Sequence, residues 1–197
     1  MKHVLIIGAG IVGAAIAYRL LRAGAKVTIV DQARPAAGAS GTSFGWLNAS
    51  FYADDDHHRL RVSGLAAMRR LADDLPDAAI AWQPALWFEE QGAGLWRMKE
   101  ALDALGYGCA YLDRTAVADR VPGLVAPDAA LEFKDEGVVD GAELTRQLLQ
   151  AATTMGLRRD QAIWDGPRVF REGVTCVACH RVKSPYTKAD GERRIEP

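Results

Sequence analysis

The chain has 197 residues, enough for one large domain or two small ones, and 49% of them are apolar, so a sizeable core can be buried. Its 24 basic and 25 acidic residues almost cancel, which argues against a general nucleic-acid or anionic-membrane binder, because such partners need an excess of Lys and Arg. Three cysteines, Cys109, Cys176 and Cys179, are too few for a disulfide-stapled secreted scaffold.

Residues 3–7 (His-Val-Leu-Ile-Ile) are a short apolar run that predicts a strand covered on both faces, as in a parallel sheet. Gly8 to Gly13 predicts a turn. Residues 12–23 predict a helix with Val12, Ile16, Leu20 and Ala23 on one face, ended by Gly24. Lys26 to Val30 predicts a second strand, closed by Asp31. Lys2 and the apolar stretch after it have the outline of a signal peptide, but three glycines interrupt the stretch in a fixed pattern, so export is not expected. No run reaches the roughly eighteen apolar residues that span a bilayer, and the expectation is a cytoplasmic protein.

Residues 32–50 are rich in Gly, Ala, Ser and Pro and read as a long ordered loop, with Pro35 barring a regular helix early on. Asp54, Asp55 and Asp56 supply helix-start chemistry, because acidic side chains face the positive end of a helix dipole. The helix is expected from about His57 to Leu75, with Leu60, Leu65, Met68, Leu71 and Leu75 buried. Residues 79–90 read as a strand or hairpin broken near Pro84. Residues 95–105 read as an amphipathic helix ending at Gly106, 110–112 as a strand, and 115–120 as a short helix stopped by Pro122. Residues 130–133 and 137–139 read as strand pieces. Asp140 and Glu143 form a capping box for a helix that carries Leu144, Leu148, Ala152 and Met155 on one side. Residues 157–175 show no clear period.

The segment Gly8-Ala9-Gly10-Ile11-Val12-Gly13 is a G-x-G-x-x-G motif that follows a strand and opens a helix, and Asp31 lies twenty-one residues after Gly10. Strand, glycines, helix and acid together make the dinucleotide-binding fingerprint. Gly8 permits the tight turn, Gly10 lets the backbone approach a pyrophosphate, and Gly13 lets helix and strand pack closely. Free amides at the helix start attract phosphate charge. Asp31 can accept hydrogen bonds from ribose hydroxyls and repels a 2′-phosphate, which disfavours NADP. The motif leaves FAD and NAD both open.

From Lys2 to about Gly156 the chain resembles the D-amino-acid oxidase family of FAD-dependent oxidoreductases. The likeness rests on the opening fingerprint, on Gly38-Ala39-Ser40-Gly41-Thr42-Ser43-Phe44-Gly45-Trp46, and on Glu136-Gly137-Val138-Val139-Asp140-Gly141-Ala142-Glu143-Leu144. It implies an α/β fold: a Rossmann-like FAD-binding β-α-β domain with part of a mixed-sheet substrate domain, incomplete relative to the family. The implied divisions are 1–78 for the first part of the FAD domain, 79–139 for a partial substrate domain, 140–156 for a helix returning to the FAD domain, and 157–197 for an atypical tail. The implied cofactor is FAD, contacted by Gly8, Ala9, Gly10, Ile11, Val12, Gly13, Asp31 and Gln32, and in the following loop by Ala39, Ser40, Thr42 and Ser43. The implied reaction moves a hydride from a carbon next to an amine to the flavin, with a small amine or amino acid as substrate. No catalytic residue is identifiable. His57 and His58, at a helix start, read as surface or capping residues, and Cys109, beside Tyr107 and Tyr111, as a small buried hydrophobe.

Cys176-Val177-Ala178-Cys179-His180 is a C-x-x-C-H motif, the attachment signature of c-type haem. The segment from about Glu172 to Pro197 resembles pieces of multihaem cytochromes c. Three readings stay open: a junction between half an oxidase and a cytochrome fragment, an incidental or Zn-binding Cys pair, and a flavin–haem electron-transfer protein. The functional alternatives to an active oxidoreductase are therefore a non-catalytic dinucleotide-binding fragment and a haem-bearing electron carrier. Oligomeric state is not legible.

Overall fold

The computed structural model describes residues 3–161. Their elements run β1 (His3–Ile7), α1 (Ile11–Arg22), β2 (Lys26–Asp31), α2 (Ala39–Thr42), β3 (Trp46–Leu47), α3 (Asp55–Asp74), β4 (Ile80–Trp82), β5 (Ala85–Trp87), α4 (Ala93–Ala104), β6 (Cys109–Asp113), α5 (Arg114–Arg120), β7 (Ala129–Phe133), β8 (Gly137–Val139), α6 (Gly141–Thr154) and β9 (Arg158–Gln161). Two units emerge: one holds the described residues up to Gly41 and from Thr145 onward, the other holds Thr42–Leu144. Residues 42–78, grouped by the sequence with the first part, belong to the second unit. The reason is that β3 pairs with β8 and Leu65 of α3 enters the second unit's core.

In the first unit β1, β2 and β9 form a parallel sheet in the order β1-β2-β9. His3 lies opposite Lys26 and Ile7 opposite Val30, so the apolar cores of β1 and β2 are in register. Parallel partners need a crossover, and α1 supplies it. Gly24, at φ +80°, takes the left-handed conformation that stops α1. β9 is built from Arg158-Arg159-Asp160-Gln161, a segment with no apolar period, and its backbone ladder to β2 makes it a strand.

Two expectations for this unit are corrected. The buried face of α1 is Ala14, Ala17 and Tyr18. Val12 is 69% exposed and Ile16 is also exposed, because small alanines let the helix lie close on the sheet and turn the larger side chains outward. β1 is not covered on both faces: Leu5 is 61% and Ile7 72% exposed. They share one side of the pleat, and no described element packs over it.

The second unit contains two three-stranded sheets, in the orders β3-β8-β4 and β5-β7-β6, all pairs antiparallel. β7 is the centre of the second sheet and is buried at every position. Its core includes Leu65, Leu95, Leu102, Leu131 and Phe133. The carboxylate of Glu132, on the same strand, pairs with Arg120 at 2.9 Å. The Gln91 amide group donates to the Ala129 carbonyl and accepts from the Ala129 amide, which ties the loop before α4 to the start of β7.

Several boundaries differ from the sequence reading. β4 and β5 pair with different strands, β8 and β7, so residues 79–90 are not a hairpin. Residues 32–50 contain α2 and β3 rather than loop alone. Leu60 and Met155 are exposed, whereas Leu65, Leu71, Leu144, Leu148 and Ala152 are buried. The Asp140 carboxylate accepts from the Glu143 amide at 2.9 Å, the expected cap of α6. Cys109 is half-buried against the core, and burial pushes its thiol pKa up. No helix among the described residues is long and apolar enough to cross a membrane.

Candidate functional site

The first unit brings most of the fingerprint together. Gly8 has φ +104°, a conformation open to glycine, and its amide donates to the Val30 carbonyl at 2.8 Å. This fastens the turn to the end of β2. A Cβ on Gly13 would land on the Gly8 carbonyl oxygen, so only glycine lets α1 start this close to β1. Gly10 is the N-cap of α1 and has no side chain to cap it, and no acidic residue stands in the first turn. No side chain of its own first turn caps the helix start, and the positive end of the dipole stands behind it.

Asp31 points at this turn. One carboxylate oxygen accepts from the Ala9 amide at 2.6 Å and the other from the Ala33 amide at 2.8 Å. The side chain braces the glycine turn and the exit of β2 in one bridge. A carboxylate has about four lone-pair sites, so acceptor capacity remains beyond these two bonds. Gln32, next in sequence, is exposed.

Ser40, in α2, reaches the same place. Its hydroxyl accepts from the Ile11 amide at 2.9 Å. A Cβ on Gly10 would sit 3.0 Å from that hydroxyl, so the lack of a side chain at Gly10 makes room for it. Gly8, Ala9, Gly10, Ile11, Val12, Gly13, Asp31 and Ser40 therefore form one cluster, and Ala39 opens the turn of helix that carries Ser40. Thr42 and Ser43 belong to the second unit. Both are exposed, and the Ser43 hydroxyl accepts from the Gly45 amide at 3.1 Å.

The second unit holds a polar constellation that the sequence did not single out. Glu136, fully buried, precedes β8. One of its oxygens accepts from the Trp46 indole at 2.8 Å. The other takes the Tyr107 hydroxyl at 2.9 Å and the backbone amides of Ser50 at 3.3 Å and Ala49 at 3.4 Å. Burial raises the Glu136 pKa, against the opposing pull of these donors. Burial and the neighbouring carboxylate raise the Tyr107 pKa as well.

His58 lies in the same region. It is buried, not a surface or capping residue, with Nδ1 3.0 Å from the Ala49 carbonyl and its ring edge-on to Tyr52 and Tyr107. His57 does act at the helix start, where its Nδ1 accepts from the Ala53 amide. The signal for Glu136 was slight: an acidic pair before a glycine looks like an exposed turn. Only strand pairing turns the second acid inward. Among the described residues no group of three His, Cys, Asp or Glu is placed to hold a metal ion. Cys176, Cys179 and His180 lie outside the described residues.

The chain is similar to several known proteins. A tRNA 5-methylaminomethyl-2-thiouridine biosynthesis bifunctional protein of Polaromonas naphthalenivorans is 45% identical over 82 residues, covering 41% of this chain and 13% of the relative. Its namesake in Methylibium petroleiphilum is 26% identical across 98% of this chain and 28% of its own length. Among solved structures, glycine oxidase from Bacillus cereus superposes with a TM-score of 0.74 at 22% identity, over 82% of this chain and 46% of that one. Iminodiacetate oxidase from Chelativorans superposes with a TM-score of 0.73 at 25% identity, over 81% and 46%. The chain thus spans less than half the length of these proteins. Residues 3–163 match the family model described as FAD dependent oxidoreductase, and the chain belongs to that family.

Proposed function

We propose that this chain carries the dinucleotide-binding part of a flavoenzyme that oxidises a carbon–nitrogen bond in a small amine or amino acid. The observation that carries the reading is the Asp31 bridge to the Ala9 amide, which fixes the ribose-side acid and the phosphate-side turn in one rigid corner. FAD, when bound, supplies the two-electron acceptor for a hydride from the carbon beside the amine, and water hydrolyses the imine that is left.

The residues of this chain bind and orient. The start of α1, where Gly10 offers no capping side chain and Ser40 holds the Ile11 amide, takes the pyrophosphate, with Gly10 allowing close backbone approach. Asp31 accepts from ribose hydroxyls with its remaining lone pairs. The Ser40 hydroxyl, already bonded to the Ile11 amide, has its own hydrogen to donate to a phosphate oxygen. Ala39 and Gln32 complete the first unit's cofactor contacts in this reading. Haem plays no part in it.

The experiment is an FAD titration of the purified chain, followed by flavin fluorescence, with Asp31→Asn alongside. Binding by the wild type, weakened about tenfold or more in the variant, is expected, because a hydrogen bond to a charged group is at stake. A chain that gains neither colour nor thermal protection from FAD sinks the reading.

One observation favours a second substrate class. The Polaromonas relative is named for the biosynthesis of a nucleoside that itself bears a methylaminomethyl group, so an amine on a tRNA base fits the same chemistry. The near-zero net charge favours the small molecule, since an RNA substrate calls for a basic surface. Glycine and a 5-methylaminomethyl uridine nucleoside, offered separately to the FAD-loaded protein, discriminate by which one bleaches the flavin. Bleaching by neither, with FAD bound, favours a non-catalytic binding fragment.

A further inference from the structure

We propose that Glu136 is a buried anionic clamp that holds the segment from Trp46 to Tyr52 in one conformation, and so acts as a positioning residue for a small molecule bound beside that segment. The positioning half rests on the oxidoreductase reading above. The clamp itself rests on the geometry of the second unit alone.

Three observations point the same way. First, every bond to the carboxylate can be donated by its partner: the Trp46 indole, the Tyr107 hydroxyl, and the Ala49 and Ser50 amides. Three of the four donors come from one five-residue stretch, which makes the carboxylate a staple across it. Second, the stretch is fastened where it begins. Gly45, at φ +72°, lies so close to the backbone of Val139 that a Cβ would strike the Val139 carbonyl oxygen, and its own carbonyl accepts from the Val139 amide at 2.8 Å. Trp46 and Leu47 then pair with β8. Third, the stapled segment leads directly into a wall of the concavity of about 380 Å³ lined by Ser50, Phe51, Tyr52, Trp87, Arg97 and Met98. The concavity is shallow and open to solvent. Phe51 is set edge-on against Trp46 at 5.3 Å and Trp87 at 5.7 Å, so displacement of Trp46 is felt at the wall.

The chemistry also argues for a role beyond filling space. No Lys or Arg among the described residues pairs with Glu136. A buried carboxylate without a cation is a costly way to pack a core, and an apolar side chain of similar volume avoids that cost. What an apolar side chain cannot do is gather an indole, a phenol and two backbone amides to one point. The charge sets a conformation, as buried polar groups do in cases where uniqueness of structure is what they add.

The test uses Glu136→Gln, Trp46→Phe and the double variant in the full chain. Gln keeps one carbonyl acceptor but turns an NH₂ toward a group that donates, so one side of the staple must open. Hydrogen exchange of the Ala49 and Ser50 amides is expected to quicken about tenfold or more in Glu136→Gln without cofactor, with the helical circular dichroism unchanged. Adding Trp46→Phe removes the donor that the Gln NH₂ would face, and is expected to restore part of the protection. Unchanged exchange in Glu136→Gln, or a double variant that merely sums the singles, overturns the clamp. Glycine titrated onto the chain without cofactor, followed by tryptophan fluorescence, is expected to bind the wild type about tenfold or more tightly than Glu136→Gln. Equal binding by the two, or binding by neither, ends the positioning role while the oxidoreductase reading stands. If the wild type does not bind FAD, that reading fails, and the exchange cycle still decides the clamp.

Discussion

At the scale of single residues, two positions carry opposite lessons about glycine and acid. Gly13 is constrained by space, since a methyl group there meets the Gly8 carbonyl oxygen. Gly13→Ala is expected to push α1 off the turn and to weaken FAD binding by about a hundredfold, read by the same fluorescence titration, because a small misplacement of the binding geometry is enough. Glu136 is constrained by charge. Its folded pKa stands above its ordinary value near 4.5 because burial disfavours the anion. The native state therefore holds the proton more tightly than the unfolded chain does. The stability this contributes is complete below the ordinary value and is lost as pH rises through the raised one. Urea melts from about pH 4 upward are expected to show that decline in the wild type and a flatter profile in Glu136→Gln. His58 and Tyr107 face the same carboxylate region, and Asp135 beside it pairs with Arg69 at the surface, so the comparison is made within one background.

Elements were legible where a local signal sufficed. The Asp54 carboxylate accepts from the His57 amide at 2.8 Å and caps α3, as three successive acids before an amphipathic run foretold. Asp54→Ala is expected to cost about 1 kcal/mol of stability, measured by thermal or urea melting, with the fold intact. The capping acid before α6 and the glycine after α1 were equally plain. Elements were missed where the signal is supplied by a partner. β9 is four polar or charged residues, and nothing in them is strand-like until β2 offers its edge. β3 has two residues, and β8 makes it a strand. The buried face of α1 was misread because size was taken for burial: a helix on a close sheet hides its alanines.

At the scale of the whole molecule, among the described residues the first unit's sheet has β1 at one edge, with Leu5 and Ile7 exposed. An exposed apolar strand with an unpaired ladder is a template for association with another chain. Leu5→Lys is expected to reduce self-association in light scattering while leaving the melting temperature within about 2 °C, since an exposed side chain contributes little to the core. A fall in melting temperature of many degrees instead means that the side chain is covered in solution. The second unit holds its own core around β7. The relatives and neighbours are more than twice as long as the stretch they share with this chain, so their activities reach it as proposals only.

The order of residues by itself determined the dinucleotide fingerprint, the parallel pairing of the first two strands, the capped helices and the family. All of these depend on contacts or spacings within about thirty residues, where chain connectivity fixes who meets whom. The tertiary structure alone decided that Glu136 gathers Trp46, Ala49, Ser50 and Tyr107, that His58 is interior, and that a charged tetrapeptide completes a parallel sheet. The bonds from Glu136 to Trp46, Ala49 and Ser50, and the pairing of β2 with β9, join segments far apart in the chain. The burial or pairing of such a residue is a property of its distant partners, and no local pattern encodes it.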